Sequence, residues 1–253
     1  MTQYPTELVT LSSFGTGLHV AVVGASGGIG AAFCRHLEAC PEVAQVFRLS
    51  RSQPTDGGDW LPLDYADEAS IAQVAATLKD QADELHLVIL ATGLLHEGAG
   101  LQPEKTWASL EPANLAQAFL VNATGPALVA KHMLPLLAKK RKTAFAALSA
   151  RVGSIEDNQL GGWYAYRASK AALNMLLRSL AIELARRNKT AFCVGLHPGT
   201  VDTGLSKPFQ RGVPERQLFT PERSARALLG VLEGLEEGDS GRLFAWDGQR
   251  IPF

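Results

Sequence analysis

Tyr166 and Lys170 stand four residues apart in Tyr-Arg-Ala-Ser-Lys, a spacing that puts a phenol and an ammonium on one face of a helix. A tyrosine with an ordinary pKa, about 10, is a poor acid–base catalyst at neutral pH. A neighbouring cation stabilises its phenolate and brings it toward the working range. The pair alone also fits the surface of any amphipathic helix, so its meaning depends on its company. Ser149 follows an apolar run, and Asn122 lies inside a stretch of helical period; both carry side chains that can hold or pass on a proton. Tyr164, the nearest competing phenol, has Ala168 four residues on and is expected to pack or to wall a pocket.

A second group of residues could bind phosphate. Gly24-Ala-Ser-Gly-Gly-Ile-Gly30 follows the first apolar run directly and opens into a helical stretch. Such a turn lets backbone N–H groups and a helix dipole approach a pyrophosphate that side chains would block. After the second apolar run, a chain that prefers NAD would place Asp or Glu to accept the adenosine ribose hydroxyl. This chain reads Phe47-Arg48-Leu49-Ser50-Arg51-Ser52, without a carboxylate, and Arg51 can pair with a 2′-phosphate instead. The expected cofactor is NADP(H), preferred over NAD(H).

Positioning these groups takes an alternation of short apolar runs and longer helical stretches, the pattern of a parallel sheet covered on both faces. Strands are predicted at 18–24, 43–49, 85–91, 143–148 and 191–196, with a short one at 60–63 and a last one at 241–245. Helices are predicted at 28–37, 67–81, 115–140, 162–187 and 221–236, the last capped by Thr220. The fold class is α/β: one Rossmann-type domain over 1–253, a doubly wound parallel sheet of about seven strands. Residues 205–219 break the alternation with two prolines and mixed charge, and are expected to form a long substrate loop.

Taken together, these strings resemble the short-chain dehydrogenase/reductase family. Gly24, Gly28 and Gly30 keep its GxxxGxG spacing, and Asn122, Ser149, Tyr166 and Lys170 follow in its order. His197-Pro198-Gly199-Thr200-Val201-Asp202-Thr203 is similar to its Pro-Gly turn. The matches run from residue 18 to about 203. The string from Tyr166 to Asn174, with HPGTVDT and the closing WDGQRIPF, resembles the C-factor-type branch.

The resemblance implies hydride transfer between nicotinamide and a carbonyl or alcohol substrate. Tyr166 would act as general acid–base, Lys170 would lower its pKa and bind ribose, Ser149 would orient the substrate oxygen, and Asn122 would help hold a relay water. Gly24, Ser26, Gly28, Ile29 and Gly30 would cradle the cofactor, with Arg51, Asp64 and Tyr65 toward its adenosine. Ala91, Thr92 and Gly93 would line its path; Pro198, Gly199, Val201 and Thr203 would hold its nicotinamide end. One departure is Leu90-Ala91-Thr92-Gly93, where the family carries Asn-Asn-Ala-Gly. It removes two amides that tie the strand to its neighbours, and Thr92 is the candidate replacement. The rival reading is an NADP(H)-binding signalling or redox-sensing protein on the same fold, since fold does not fix function.

Bulk properties narrow the field. With 253 residues, 46% hydrophobic, the chain can bury a substantial core. A net charge of −1 gives no footprint for nucleic acid or an anionic membrane. The basic run Lys139, Lys140, Arg141 and Lys142 is expected to be a helix C-terminus facing water. Cys34, Cys40 and Cys193 form no CxxC pair, so neither a disulfide framework nor a zinc site is expected, and His197 is expected to be structural. Residues 1–17 lack the pattern of an export signal, which points to the cytoplasm. The resemblance implies a homodimer or homotetramer built on the helices at 115–140 and 162–187, and the near-continuous apolar content of the second is compatible with burial on more than one side.

Overall fold

The computed structural model describes residues 9–52, 59–98 and 100–253; the first eight residues of the amino-terminal stretch read as lacking an export signal lie outside them. The strands are β1 (Leu18–Val23), β2 (Val43–Ser50), β3 (Trp60–Pro62), β4 (Leu87–Leu90), β5 (Thr143–Leu148), β6 (Ala191–His197), β7 (Thr200–Val201), β8 (Leu218–Phe219), β9 (Leu243–Ala245) and β10 (Arg250–Ile251). Eight of them form one sheet in the order β10-β9-β6-β5-β4-β1-β2-β3, parallel except for β10. The chain winds outward from β1 through β2 to β3, then returns to β4 and winds the other way. The order therefore reverses between β1 and β4, where a crevice opens beyond the carboxyl ends of the strands.

The helices are α1 (Gly28–Glu38), α2 (Glu68–Ala82), α3 (Pro112–Phe119), α4 (Gly125–Met133), α5 (Tyr164–Arg187) and α6 (Pro221–Gly234). One face of the sheet packs Val20, Val22, Ala144 and Val194 against Phe33 and Leu37 of α1 and Leu228 and Leu232 of α6. The other packs Ala21, Val23, Phe145 and Cys193 against Ile71 of α2, Val129 of α4 and Leu173 and Leu177 of α5. Alternate strand residues serve opposite faces, so the apolar runs are buried on both sides. Asp67 caps α2 by accepting from the N–H of Ala69, and Thr220 caps α6 by accepting from that of Arg223.

Five expectations need correction. Among the described residues the sheet has eight strands rather than about seven: β10 is a two-residue edge strand, too short for any period, folded back through a turn at Gly248 whose φ is 80°. The helix expected at 115–140 starts at Pro112, passes through a π turn at Leu120–Thr124, and closes in a 3-10 turn at Leu134–Leu136. The basic run thus lies beyond it. Lys139 and Lys140 face water, but Arg141 donates to the carbonyls of Phe14 and Thr16. Lys142 donates to Ser13 and to the Glu233 carbonyl, with its ammonium 4.5 Å from the centre of the Phe14 ring. These two cations fasten the segment before β1 to the body.

Helix α5 starts at Tyr164, not at 162. Gly161, Gly162 and Trp163 have φ of 63°, 65° and 51°, a left-handed run that cannot belong to a right-handed helix. Finally, 205–219 is more than a loop: it holds 3-10 turns at Lys207–Phe209 and Glu215–Gln217 and ends in β8, which pairs with β7. Among the described residues no helix is long and apolar enough to cross a membrane.

Candidate active site

Strand β1 ends in a turn that glycine makes possible. Gly24 has φ of 80°, and its N–H and that of Ala25 both donate to the carbonyl of Leu49 on β2. A Cβ on Gly30 would stand 2.1 Å from the carbonyl oxygen of Gly24, so the first turn of α1 rests directly on the loop. No side chain caps α1, which leaves its leading N–H groups free for an anion. A cavity of about 430 Å³ opens here, lined by Gly24, Ser26, Arg51, Asp64, Tyr65 and Thr92 among others. Ser26 and Ser50 share a hydrogen bond of 2.5 Å, and Arg51 is exposed at the rim. This backbone cradle, with the Arg51 guanidinium at its rim, could hold the pyrophosphate of a dinucleotide.

Thr92 takes up the tie that the departure after β4 puts in question. Its hydroxyl bonds the Tyr65 phenol at 2.9 Å, linking the exit of β4 to the turn after β3. The Tyr65 ring lies against α4 at Gly125, where a Cβ would come within 2.2 Å of the ring. Burial pushes the Tyr65 phenol far above its ordinary value, so it stays protonated and structural. Asp64 accepts from the N–H of Ala66 and holds that same turn.

A second cavity, about 500 Å³, continues from the first, sharing Gly27, Ala91, Thr92 and Gly93. Ser149, Tyr166, Lys170, His197 and Pro198 line it, as do the apolar Val152, Trp163, Leu205 and Phe209. Trp163 is wedged edge-on between Tyr166 and Phe209, with ring centroids 6.4 and 5.1 Å away. Lys170 is 2% exposed, and burial pulls its pKa down to about 7. Its ammonium donates to the carbonyl of Leu148 at 2.8 Å and lies 5.9 Å from the centre of the Tyr166 ring. Burial pushes Tyr166 up to about 12, the opposite of the downward shift expected from a neighbouring cation. The phenol is therefore held protonated.

Ser149 and Asn122 are both engaged. The Ser149 hydroxyl donates to Oδ1 of Asn174 at 2.7 Å, and Nδ2 of Asn174 donates to the Gly153 carbonyl at 3.4 Å. Asn122 lies in the π turn, a distortion frequent at functional sites. It grips the backbone of Leu94 from both sides, at 2.8 Å each, and donates to Ser169 of α5. Its side chain thus fixes the segment after Gly93 rather than facing the cavity with a free donor. A Cβ on Gly93 would stand 3.8 Å from the Lys170 ammonium and 3.9 Å from Oδ1 of Asn122, so these groups crowd one point of the crevice.

After β6 the Pro198 carbonyl accepts from Ser224 of α6, and the Val201 carbonyl accepts from Ser206. Thr203 reaches back to the cradle: its methyl would be 2.9 Å from a Cβ on Gly28. Ile29 lines the same cavity. The expected residues, apart from Gly30 and Asn122 behind its wall, thus line one continuous crevice, with Arg51 and Asp64 at one end and Tyr166 at the other.

Two positioning residues escaped the sequence reading. Asn174 was legible in principle, four residues beyond Lys170 on the same helical face. Glu104 was not, since it comes from a loop. Its Oε2 accepts from the N–H of Ala165 and its carbonyl from that of Trp163, so it caps the helix that carries Tyr166. Among the described residues no three His, Cys, Asp or Glu side chains converge as a metal site would need.

The sequence model of the short chain dehydrogenase family matches residues 18–213. The C-signal protein of Myxococcus xanthus is 40% identical over 141 residues, 56% of this chain and 80% of that protein. The 1-hydroxy-2-glutathionyl-2-methyl-3-butene dehydrogenase of a Rhodococcus species is 30% identical, over 90% of this chain and 96% of its own length. Among solved structures, an NADPH-bound carbonyl reductase from chicken fatty liver superposes with a TM-score of 0.82 at 28% identity, covering 94% of this chain and all of that one. With the family's model spanning β1 through the loop after β7, and its glycine turn leading into the crevice that holds Tyr166 and Lys170, this chain belongs to the short-chain dehydrogenase/reductase family of oxidoreductases.

Proposed function

We propose that the protein reduces a carbonyl compound at the expense of NADPH. The observation that carries this reading is the Tyr166 phenol beside Lys170 in a largely apolar cavity continuous with the glycine cradle. The reduced nicotinamide supplies the hydride. Tyr166 delivers the proton to the substrate oxygen, its phenol being protonated at neutral pH and close to Lys170, whose cationic form stabilises the phenolate left behind. Lys170, whose burial holds it down to about 7, is a donor to ribose hydroxyls and takes up its full charge when negative charge develops nearby. Ser149 turns its hydroxyl from Asn174 to the substrate oxygen, while Asn122 keeps the floor of the crevice rigid.

Preference for NADPH rests on Arg51 at the rim of the first cavity and on the stretch Phe47 to Ser52, which carries no carboxylate. The carbonyl reductase neighbour, described as NADPH-bound, supports the same choice. An apolar carbonyl substrate suits the wall of Val152, Trp163, Leu205 and Phe209. Three free, buried thiols suit a reducing compartment such as the cytoplasm. A homodimer or homotetramer is supported by Met175 and Ile182, two turns apart on α5 and 67% and 47% exposed. Light scattering that finds a stable monomer would overturn that assembly.

The decisive experiment offers NADPH or NADH with a panel of aldehydes and ketones. Oxidation of NADPH, with NADH much slower, is the expected result. Tight NADPH binding without turnover of any carbonyl would favour the rival reading as a nucleotide-reporting signal protein, which the relationship to C-signal keeps in view.

A further inference from the structure

Two buried side-chain atoms among the described residues lack any partner, Oε1 of Glu104 and Nδ1 of His197. Glu104 has its task as a helix cap, but His197 has none in the sites described so far. It ends β6 next to Ser149. Leu148 and Leu196 are register partners on β5 and β6, and the N–H of Ser149 donates to the Leu196 carbonyl at 2.8 Å. Ser149 and His197 are therefore the next pair in line, on the same face of the sheet, and adjacent strands lie only about 4.8 Å apart. Both line the second cavity.

The chemistry of the ring can be worked out from its surroundings. Burial holds the imidazole down to about 4, with Arg151 also opposing its charge and Asp247 favouring it, so at neutral pH it carries one proton. A proton on Nδ1 would be a buried donor with no acceptor, the costlier arrangement. The proton belongs on Nε2, the nitrogen at the ring edge left open to the cavity. Arg151 does not compete for a ligand there, because it is paired with Asp157 at 2.7 Å. The other walls are largely apolar, through Val152, Trp163, Leu205 and Phe209.

We propose that His197 is a substrate-binding residue whose Nε2–H donates to a second acceptor oxygen, so that the preferred substrates are ketones bearing a carbonyl or ester oxygen near the reacting carbonyl. The inference rests on the reading of the crevice as a carbonyl reductase site. The strand spacing sets the distance between the two oxygens, which suits groups separated by a single carbon.

The test uses a pair of ketones of equal chain length, ethyl acetoacetate and methyl pentyl ketone, of which only the first carries an ester group next but one to the reacting carbonyl. Their ratio of kcat/KM is measured with NADPH for the wild type and for His197→Gln, His197→Asn and His197→Phe. Glutamine places its amide nitrogen where Nε2 lies, and asparagine places its own where Nδ1 lies. The ratio should fall about threefold to tenfold in the Asn and Phe variants and hold in the Gln variant, whatever each change does to the turnover of methyl pentyl ketone itself. An unchanged ratio in the Phe variant would overturn the inference while leaving carbonyl reduction intact. If the wild type reduces other carbonyl compounds but neither of these ketones, the inference fails alone; if it reduces no carbonyl compound of the wider panel, the carbonyl reading itself is what fails. Nitrogen NMR of histidine-labelled protein then decides separately, since a proton on Nδ1 of His197 removes the donor the proposal needs.

Discussion

The two halves of the crevice are built on opposite principles. The cradle between β1 and α1 does its work with backbone: a left-handed Gly24, a helix packed on the Gly24 carbonyl, and N–H groups left uncapped. The half around Tyr166 does its work with side chains held out of water, and their ordinary titration is displaced in both directions, Lys170 downward and Tyr166 upward. Binding of a common nucleotide tolerates a rigid geometric mould. Moving a proton takes groups whose charge states are poised by desolvation. Changes in the catalytic half should therefore alter rate and pH dependence, and changes in the cradle should alter affinity.

The largest expected effect tests that separation directly. Tyr166→Phe keeps the ring against Trp163 but removes the acid, and turnover should fall by roughly 10²–10⁴-fold while the dissociation constant for NADPH, measured by fluorescence, hardly moves. Undiminished turnover would sink the proton-delivery mechanism. Arg51→Ala acts in the other half. Loss of a charge-assisted contact should reduce the preference for NADPH over NADH by about tenfold to a hundredfold, with kcat nearly unchanged at saturation. Equal preference before and after the change would remove Arg51 from cofactor selection.

A subtler measurement concerns pH and needs no substrate. Folded Lys170 loses its proton above about 7, whereas in the unfolded chain it holds the proton to its ordinary 10.5. Between these values the unfolded state binds more protons, so the contribution of Lys170 makes stability rise with pH and is lost as pH falls through 7. Above about pH 10 the raised Tyr166 works the other way, because there the folded state keeps the extra proton. In urea titrations from pH 7 to 10, Lys170→Met should remove up to roughly 1.4 kcal/mol per pH unit of slope. Parallel profiles for wild type and variant would show that the ammonium is solvated after all.

The smallest effect falls on the scaffold. Glu104→Ala should cost about 1 kcal/mol of stability by uncapping α5, with Glu104→Gln closer to wild type because it retains an acceptor for the Ala165 N–H. If α5 positions Tyr166 as the cap implies, kcat should drop in the Ala variant more than NADPH affinity does. A change in affinity alone would place the role of Glu104 elsewhere.

Much of the fold was readable because short apolar runs and helical periods are local signals, and β1, β2, β5, β6 and α6 appear close to where those signals put them. The misses have local causes too. Strand β10 spans two residues and has no period to read. The π turn around Asn122 is invisible because its residues are still helix formers, and the late start of α5 turns on Trp163 adopting a left-handed φ of 51° that its residue type disfavours. At the site, Asn, Ser, Tyr and Lys were each legible through order and spacing. What each side chain bonds to was not.

The sequence by itself determined the α/β class, the glycine turn, the family and the roster of polar residues, because these are written in composition, period and short-range spacing. Only the tertiary structure decided their states. Ser149 gives its proton to Asn174, Thr92 bonds Tyr65, Asn122 clamps Leu94, and Lys170 turns to the Leu148 carbonyl. The physical reason is that hydrogen-bond partners and desolvation depend on which distant segments close over a group. No spacing along the chain records that His197, at the far end of the strand that follows the helix carrying Tyr166, shares its cavity.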